Sequence, residues 1–150
     1  YNMSQYLDFE LINKTNPEIK VKLGYWCTSI ARGISWNFDN IFRYTGDDVV
    51  KLDIDTLKSY IESIHNGIEK YKSNLQKEQE SKKENTELLL KAQSQFAVDA
   101  IKEDIRINEE SIQDWLDEIE TWESVECKLN FILDILNENT NEWELIYSNA

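Results

Sequence analysis

The chain has one histidine, His65, and it follows Glu62 by three positions. On a helix, residues i and i+3 project toward one point, and carboxylate bundles use such pairs to hold two metal ions. That chemistry needs a second Glu-x-x-His pair and two more glutamates from facing helices, which a single histidine cannot complete. Glu62 and His65 also flank an apolar stripe without lying in it, so they read as a solvated pair. No metal and no other cofactor is expected.

Cys27-Thr28-Ser29-Ile30-Ala31-Arg32 invites comparison with a cysteine phosphatase loop. There, backbone amides and an arginine surround a phosphate that the cysteine attacks. The four residues between Cys27 and Arg32 are one too few for that loop, and the segment reads as helix. Thr28 or Ser29 as a nucleophile has no histidine nearby in sequence to activate it. The four glycines are scattered, so there is no phosphate-cradling loop. No Asp-rich calcium loop is present either. These absences argue for a protein that is not an enzyme.

Two groups of residues remain that could meet a partner. Tyr25, Trp26 and Arg32 sit in a segment rich in the residue types that dominate binding hot spots. A pocket there would suit a small anionic ligand, with Arg32 facing it. The plainer alternative is that Trp26 packs the core. The second group is acidic. From Glu103 to Glu126 there are ten acids and one base, Arg106. If that stretch is helical, it places one carboxylate about every 3.6 Å at ~1.5 Å rise per residue. DNA spaces its phosphates about 3.4 Å apart along one strand. Glu110, Asp114, Asp117 and Glu118 lie opposite the tryptophans and form the expected acidic ridge. Such a ridge could occupy a basic groove on a nucleic-acid-handling protein. The alternative is a solvated face that keeps a small protein soluble.

Charge distribution sharpens this reading. The 150 residues carry 16 Lys/Arg and 29 Asp/Glu, a net charge of -13. Residues 1–50 and 51–100 each contribute -1, and residues 101–150 contribute -11. Direct binding to nucleic acid or to an anionic membrane is disfavoured, because like charges repel. No apolar run reaches the roughly 18 residues of a membrane span. Cys27 and Cys127 are too few for a disulfide framework and are expected as reduced, partly buried thiols, which fits a cytoplasmic location. The Ile, Asn, Lys and Glu bias fits a gene of an A/T-rich bacterium or its phage. Met3 is the expected natural start.

The elements that must position these residues follow from periodicity. Leu7, Phe9 and Leu11 alternate with polar residues, as do Ile19, Val21 and Leu23, and Asn13 to Pro17 between them is turn chemistry. Trp143, Leu145 and Tyr147 alternate again near the end. An isolated hairpin is marginal in water, so this third strand is expected to join it. Trp26, Ile30, Ile34, Phe38 and Ile41 recur at helical spacing. Ile54, Leu57, Ile61, Ile64, Ile68, Tyr71 and Leu75 form an a/d heptad seam, which could be internal or could pair two copies in a homodimer. The polar run from Leu75 to Thr86 is either a helix tip or a turn. Two apolar strips beyond it, one with Leu89, Ala92, Phe96 and Ala100, imply neighbours on two sides. A last helix has an apolar face that turns by about 90° near Glu123-Ser124 at ~100° per residue, through a break or a change of packing partner.

The expected fold is α+β, mostly α: a long antiparallel helical hairpin or bundle capped by a small antiparallel sheet, in a single domain over 1–150. Strands are expected at about 6–23 and 142–148, and helices at about 26–43, 53–80, 86–107 and 111–137. The expected function is a non-enzymatic acidic interaction protein, an inhibitor or nucleic-acid-mimicking decoy of a basic partner. A homo-oligomeric coiled-coil module and a small anionic-ligand binder are the alternatives.

Overall fold

A computed structural model describes residues 4–150; Met3 lies outside the described residues. The fold is α+β and mostly helical. Two long helices pack together, and four strands form an antiparallel sheet. In chain order the elements are β1 (Leu7–Asn13), β2 (Lys20–Trp26), α1 (Thr28–Asn37), β3 (Val50–Leu52), α2 (Ile54–Lys91), α3 (Gln95–Asn139) and β4 (Trp143–Asn149). The chain divides into two compact units. A sheet unit combines the chain up to Gly67 with Val125–Ala150, and a hairpin unit is Ile68–Ser124.

In the sheet unit the strand order is β2-β1-β4-β3. Period-two alternation puts Leu7, Phe9 and Leu11 of β1 inside, and Leu145 and Tyr147 of β4 on the same face beside them. Asn13 builds the turn after β1, its side-chain oxygen accepting the backbone N–H groups of both Thr15 and Asn16 at 3.0 Å. A bulge then shifts the β1–β2 register between Phe9 and Glu10, at Gly24. Gly24 has φ 145, and a Cβ there would collide with the Lys128 ammonium. Chain ends meet in the sheet. The Tyr6 N–H donates to the Ala150 carbonyl at 2.7 Å, and the Ala150 N–H to the Tyr6 carbonyl at 3.0 Å.

The first helix is shorter than its periodicity suggests. It was expected over 26–43, but Trp26 ends β2 and the helix stops at Asn37. Asp39, Asn40 and Phe42 adopt left-handed backbone with φ 46, 59 and 48. Phe38, Ile41 and Phe42 are nonetheless buried. Their helix-like spacing serves a loop that folds back onto the core. There Phe42 packs edge-on against Phe9, Tyr60 and Tyr147. The adjoining β3 was not expected, since three residues are too few for a period-two signal.

The long helices also differ from expectation. The polar run 76–86 is neither a tip nor a turn: α2 continues through it to Lys91. Lys, Glu and Gln are good helix formers, and a Gln76–Glu80 pair adds i,i+4 support. The turn is Ala92–Ser94, where the Ser94 hydroxyl caps α3 by accepting the Ala97 N–H at 3.1 Å. The separate helices expected at 86–107 and 111–137 are one helix, α3, unbroken at Asn108 and at Glu123-Ser124. Asn108 is buried inside the hairpin unit. Its amide nitrogen donates to Glu78 at 2.7 Å and Ser81 at 3.2 Å, and its oxygen accepts from Asn85 at 2.8 Å. It falls in the gap expected between helices at 86–107 and 111–137, but is an interior residue whose hydrogen bonds are satisfied.

The heptad seam faces inward. Leu57, Ile61 and Ile64 are buried in the sheet unit and Ile68 in the hairpin unit, while Ile54, Tyr71 and Leu75 are half-buried. Tyr71 stacks at a tilt on Trp115 with ring centroids 5.4 Å apart. A seam buried within its own chain leaves little for a second copy to cover.

Candidate functional site

Helix α3 carries its apolar seam and its acids on opposite sides. Between Gln95 and Ser124 it has ten acids and two bases, whereas the α2 stretch Ile68–Lys91 has five acids and six lysines. At ~100° per residue, Asp99, Glu103, Glu110, Asp114 and Asp117 fall within about 40° of one line. Ile101, Ile112 and Ile119 lie on the opposite side, which places the line on the solvent face. The line spans about 27 Å at ~1.5 Å per residue.

The four expected ridge residues are not equivalent. Arg106 neutralises part of the ridge: its guanidinium meets Glu103 at 2.6 Å and Glu110 at 2.7 Å. That contact holds the Glu103 carboxyl below its ordinary range and pushes the Arg106 pKa up. Asp117 accepts from the Gln113 amide at 2.9 Å. Glu118 turns aside to accept the Trp122 indole N–H at 2.7 Å. Asp114 has no ion pair among the described residues, and the same holds for Asp104 and Glu120 on neighbouring faces.

At the tip of the hairpin, Leu90 and Phe96 stand on either side of the Ala92–Ser94 turn, each 85% exposed. Phe96 was expected on an inward stripe. On that stripe Phe96 and Ala100 are exposed, while Leu89 and Ala92 are half-buried.

Tyr25 and Trp26 do not share a face of the sheet. As consecutive strand residues, Tyr25 and Trp26 point to opposite faces of the sheet. Tyr25 meets Tyr6 edge-on with centroids 6.1 Å apart, while Trp26 packs on Phe9 and under the Lys128 ammonium, 5.1 Å away. Arg32 donates from Nε to the Gln5 side-chain oxygen at 3.4 Å. Comparison with known protein families, curated proteins and solved structures finds no match. The reading of this chain therefore rests on its own residues.

The remaining polar residues are placed as follows. His65 Nδ1 lies 2.9 Å from a carboxylate oxygen of Glu126 on α3, so its partner is not Glu62. Among the described residues no three His, Cys, Asp or Glu side chains are grouped to hold a metal ion. Cys27 and Cys127 were expected partly buried; both are exposed thiols. No helix among the described residues is long and apolar enough to cross a membrane.

Sequence reasoning missed a groove in the sheet unit bounded by the β1–β2 turn, β3, the start of α2 and the end of α3. Its lining residues come from separate parts of the sequence and are brought to one groove by the sheet topology. No local pattern announces them.

Proposed function

We propose that this chain is a non-enzymatic acidic interaction protein that engages a basic surface, with a nucleic-acid-handling protein as the favoured partner. The line of exposed carboxylates along α3, opposite its buried seam, carries this reading. A helix presents these charges at fixed spacing, so a complementary basic groove meets them without first ordering a flexible segment. The exposed Leu90 and Phe96 at the turn add apolar anchors of the kind that fill pockets on a partner. Acting as an inhibitor or decoy, the protein would compete with nucleic acid for that groove.

The test is affinity capture from a bacterial lysate with low- and high-salt washes. A nucleic-acid-handling protein released by salt and displaced by DNA or RNA is the expected result. The triple variant Glu110→Lys, Asp114→Lys, Asp117→Lys should lose that partner and keep its melting temperature, because all three side chains are exposed. Undiminished capture by the variant refutes the ridge as the binding surface.

A further inference from the structure

Near the hairpin tip, α3 carries a stripe that α2 leaves in solvent. Phe96, Ala100, Glu103 and Ile107 follow one another at the a/d spacing of a coiled coil. At ~100° per residue they fall within about 60° of one another. All four are exposed, Phe96 at 85% and Ile107 at 47%. This stripe is separate from the heptad seam of α2, which faces inward. Apolar side chains held in water at this spacing favour association with a second helix.

Charge decides which helix fits. The acid of α3 is unevenly spread. Residues 95–108 carry three acids and two bases, whereas residues 109–123 carry seven acids and no base. Two copies of the near-neutral stretch can approach each other with little repulsion, which two copies of the acidic stretch cannot. The near-neutral stretch is also self-complementary. With two copies antiparallel about a two-fold axis between Ile101 and Lys102, Phe96 of each meets Ile107 of the other, and Ala100 meets Glu103. The small Ala100 leaves room for the aliphatic stem of that glutamate. Asp99 and Arg106, seven residues apart, flank one side of the stripe, so Asp99 of each copy faces Arg106 of the other. Asp99 has only the neutral Gln95 amide as a hydrogen-bond partner among the described residues, at 2.8 Å. On the far side Asp104 faces Ala97, which adds no like-charge pair.

We propose that this stripe pairs two copies of the chain, α3 against α3, as an antiparallel dimer over residues 95–108. The paired stretch is about 21 Å long at ~1.5 Å per residue. One helix pair of that length buries less than the roughly 1,200 Å² of a stable interface, so the dimer forms and dissociates with concentration. Phe96 then packs on the second copy. Residues beyond Asn108 pass the start of the second copy's α3, which leaves Glu110, Asp114 and Asp117 outside the pairing. Each dimer thus displays two acidic segments, one on either side of the two-fold axis.

The experiment is sedimentation velocity of the full chain from about 10 µM to about 1 mM. Reductant is present throughout, because Cys27 and Cys127 are exposed thiols. The sedimentation coefficient should climb from the monomer to the dimer value across that range. Phe96→Ser and Ile107→Ser should each raise the midpoint concentration about tenfold with an unchanged melting temperature, since both side chains are exposed. Asp99→Arg should weaken association by a similar factor, because the two-fold axis sets like charges together twice. Adding Arg106→Asp to that variant restores opposite charges and should recover most of the loss. A monomer at every concentration, a dimer indifferent to both serine variants, or a double variant no better than Asp99→Arg alone would each overturn the proposal. The lysine variants at Glu110, Asp114 and Asp117 lie outside the pairing, so failure of the basic-partner reading leaves these results unchanged.

Discussion

Asn149 ties several segments of the sheet unit together. It is fully buried, and its amide nitrogen donates to the Ala31 carbonyl at 2.9 Å and the Phe42 carbonyl at 2.7 Å. Its side-chain oxygen accepts from Gln5 at 2.6 Å, and its backbone N–H reaches the Thr45 hydroxyl at 3.0 Å. One residue in β4 thus fixes α1 and the left-handed loop after it. Asn149→Ala removes a donor from the Ala31 and Phe42 carbonyls and opens a gap at a fully buried position, so a loss of about 3 kcal/mol is expected in urea unfolding. Gly67 makes a related point about space. A Cβ there would overlap the buried Phe38 ring. Alanine favours helix by about 1 kcal/mol over glycine, but overpacking costs about 1–3 kcal/mol. Gly67→Ala is therefore expected to destabilise by about 1 kcal/mol, against its helix propensity; a stabilised variant would show that the ring moves aside freely.

Among the elements, α2 shows how a helix end becomes sensitive to acid. The Asp53 carboxyl lies below its ordinary value of 3.8, chiefly because the Thr56 N–H hydrogen-bonds the charged form. A lowered folded-state pKa stabilises the fold fully above the unfolded value and loses that contribution as pH falls through the folded one. Asp53→Asn keeps a capping side chain without the titration. Its stability should fall less steeply than wild type below about pH 4, measured by urea midpoints across an acid series.

The elements also show what periodicity can and cannot carry. Alternation in β1 and β4 and the heptads of α2 were legible because burial on one face imposes a strict repeat. The end of α1 was not, because Phe38, Ile41 and Phe42 are buried from a loop with helical spacing. The unity of α3 was hidden by the polar stretch at 108–110, where Asn108 finds its partners only across the hairpin. The acidic line could be read from the sequence; the pairing of Arg106 with both Glu103 and Glu110, which thins it, follows i,i+3 and i,i+4 spacing and was within reach. The groove was beyond reach, since Lys14, Leu52, Leu136 and Trp143 line it together only after β4 has entered the sheet.

For the whole molecule, the pairing of the first strand with the last has a kinetic meaning. β1 lies between β2 and β4, and β4 is the last element made. During synthesis β1 and β2 can form only a two-stranded ribbon, which is marginal in water. The Ile68–Ser124 hairpin makes contacts closer in sequence than the β1–β4 pairing and can assemble without waiting for β4. Pulse-labelled hydrogen exchange during refolding should protect amides of Tyr71–Leu75 and Trp115–Ile119 before those of β1 and β4. Simultaneous protection would mean that the two units fold as one cooperative body. In the expected order, a growing chain leaves one edge of β1 unpaired until β4 has been made. The last seven-residue strand is then the step that ends this exposure to aggregation and proteolysis.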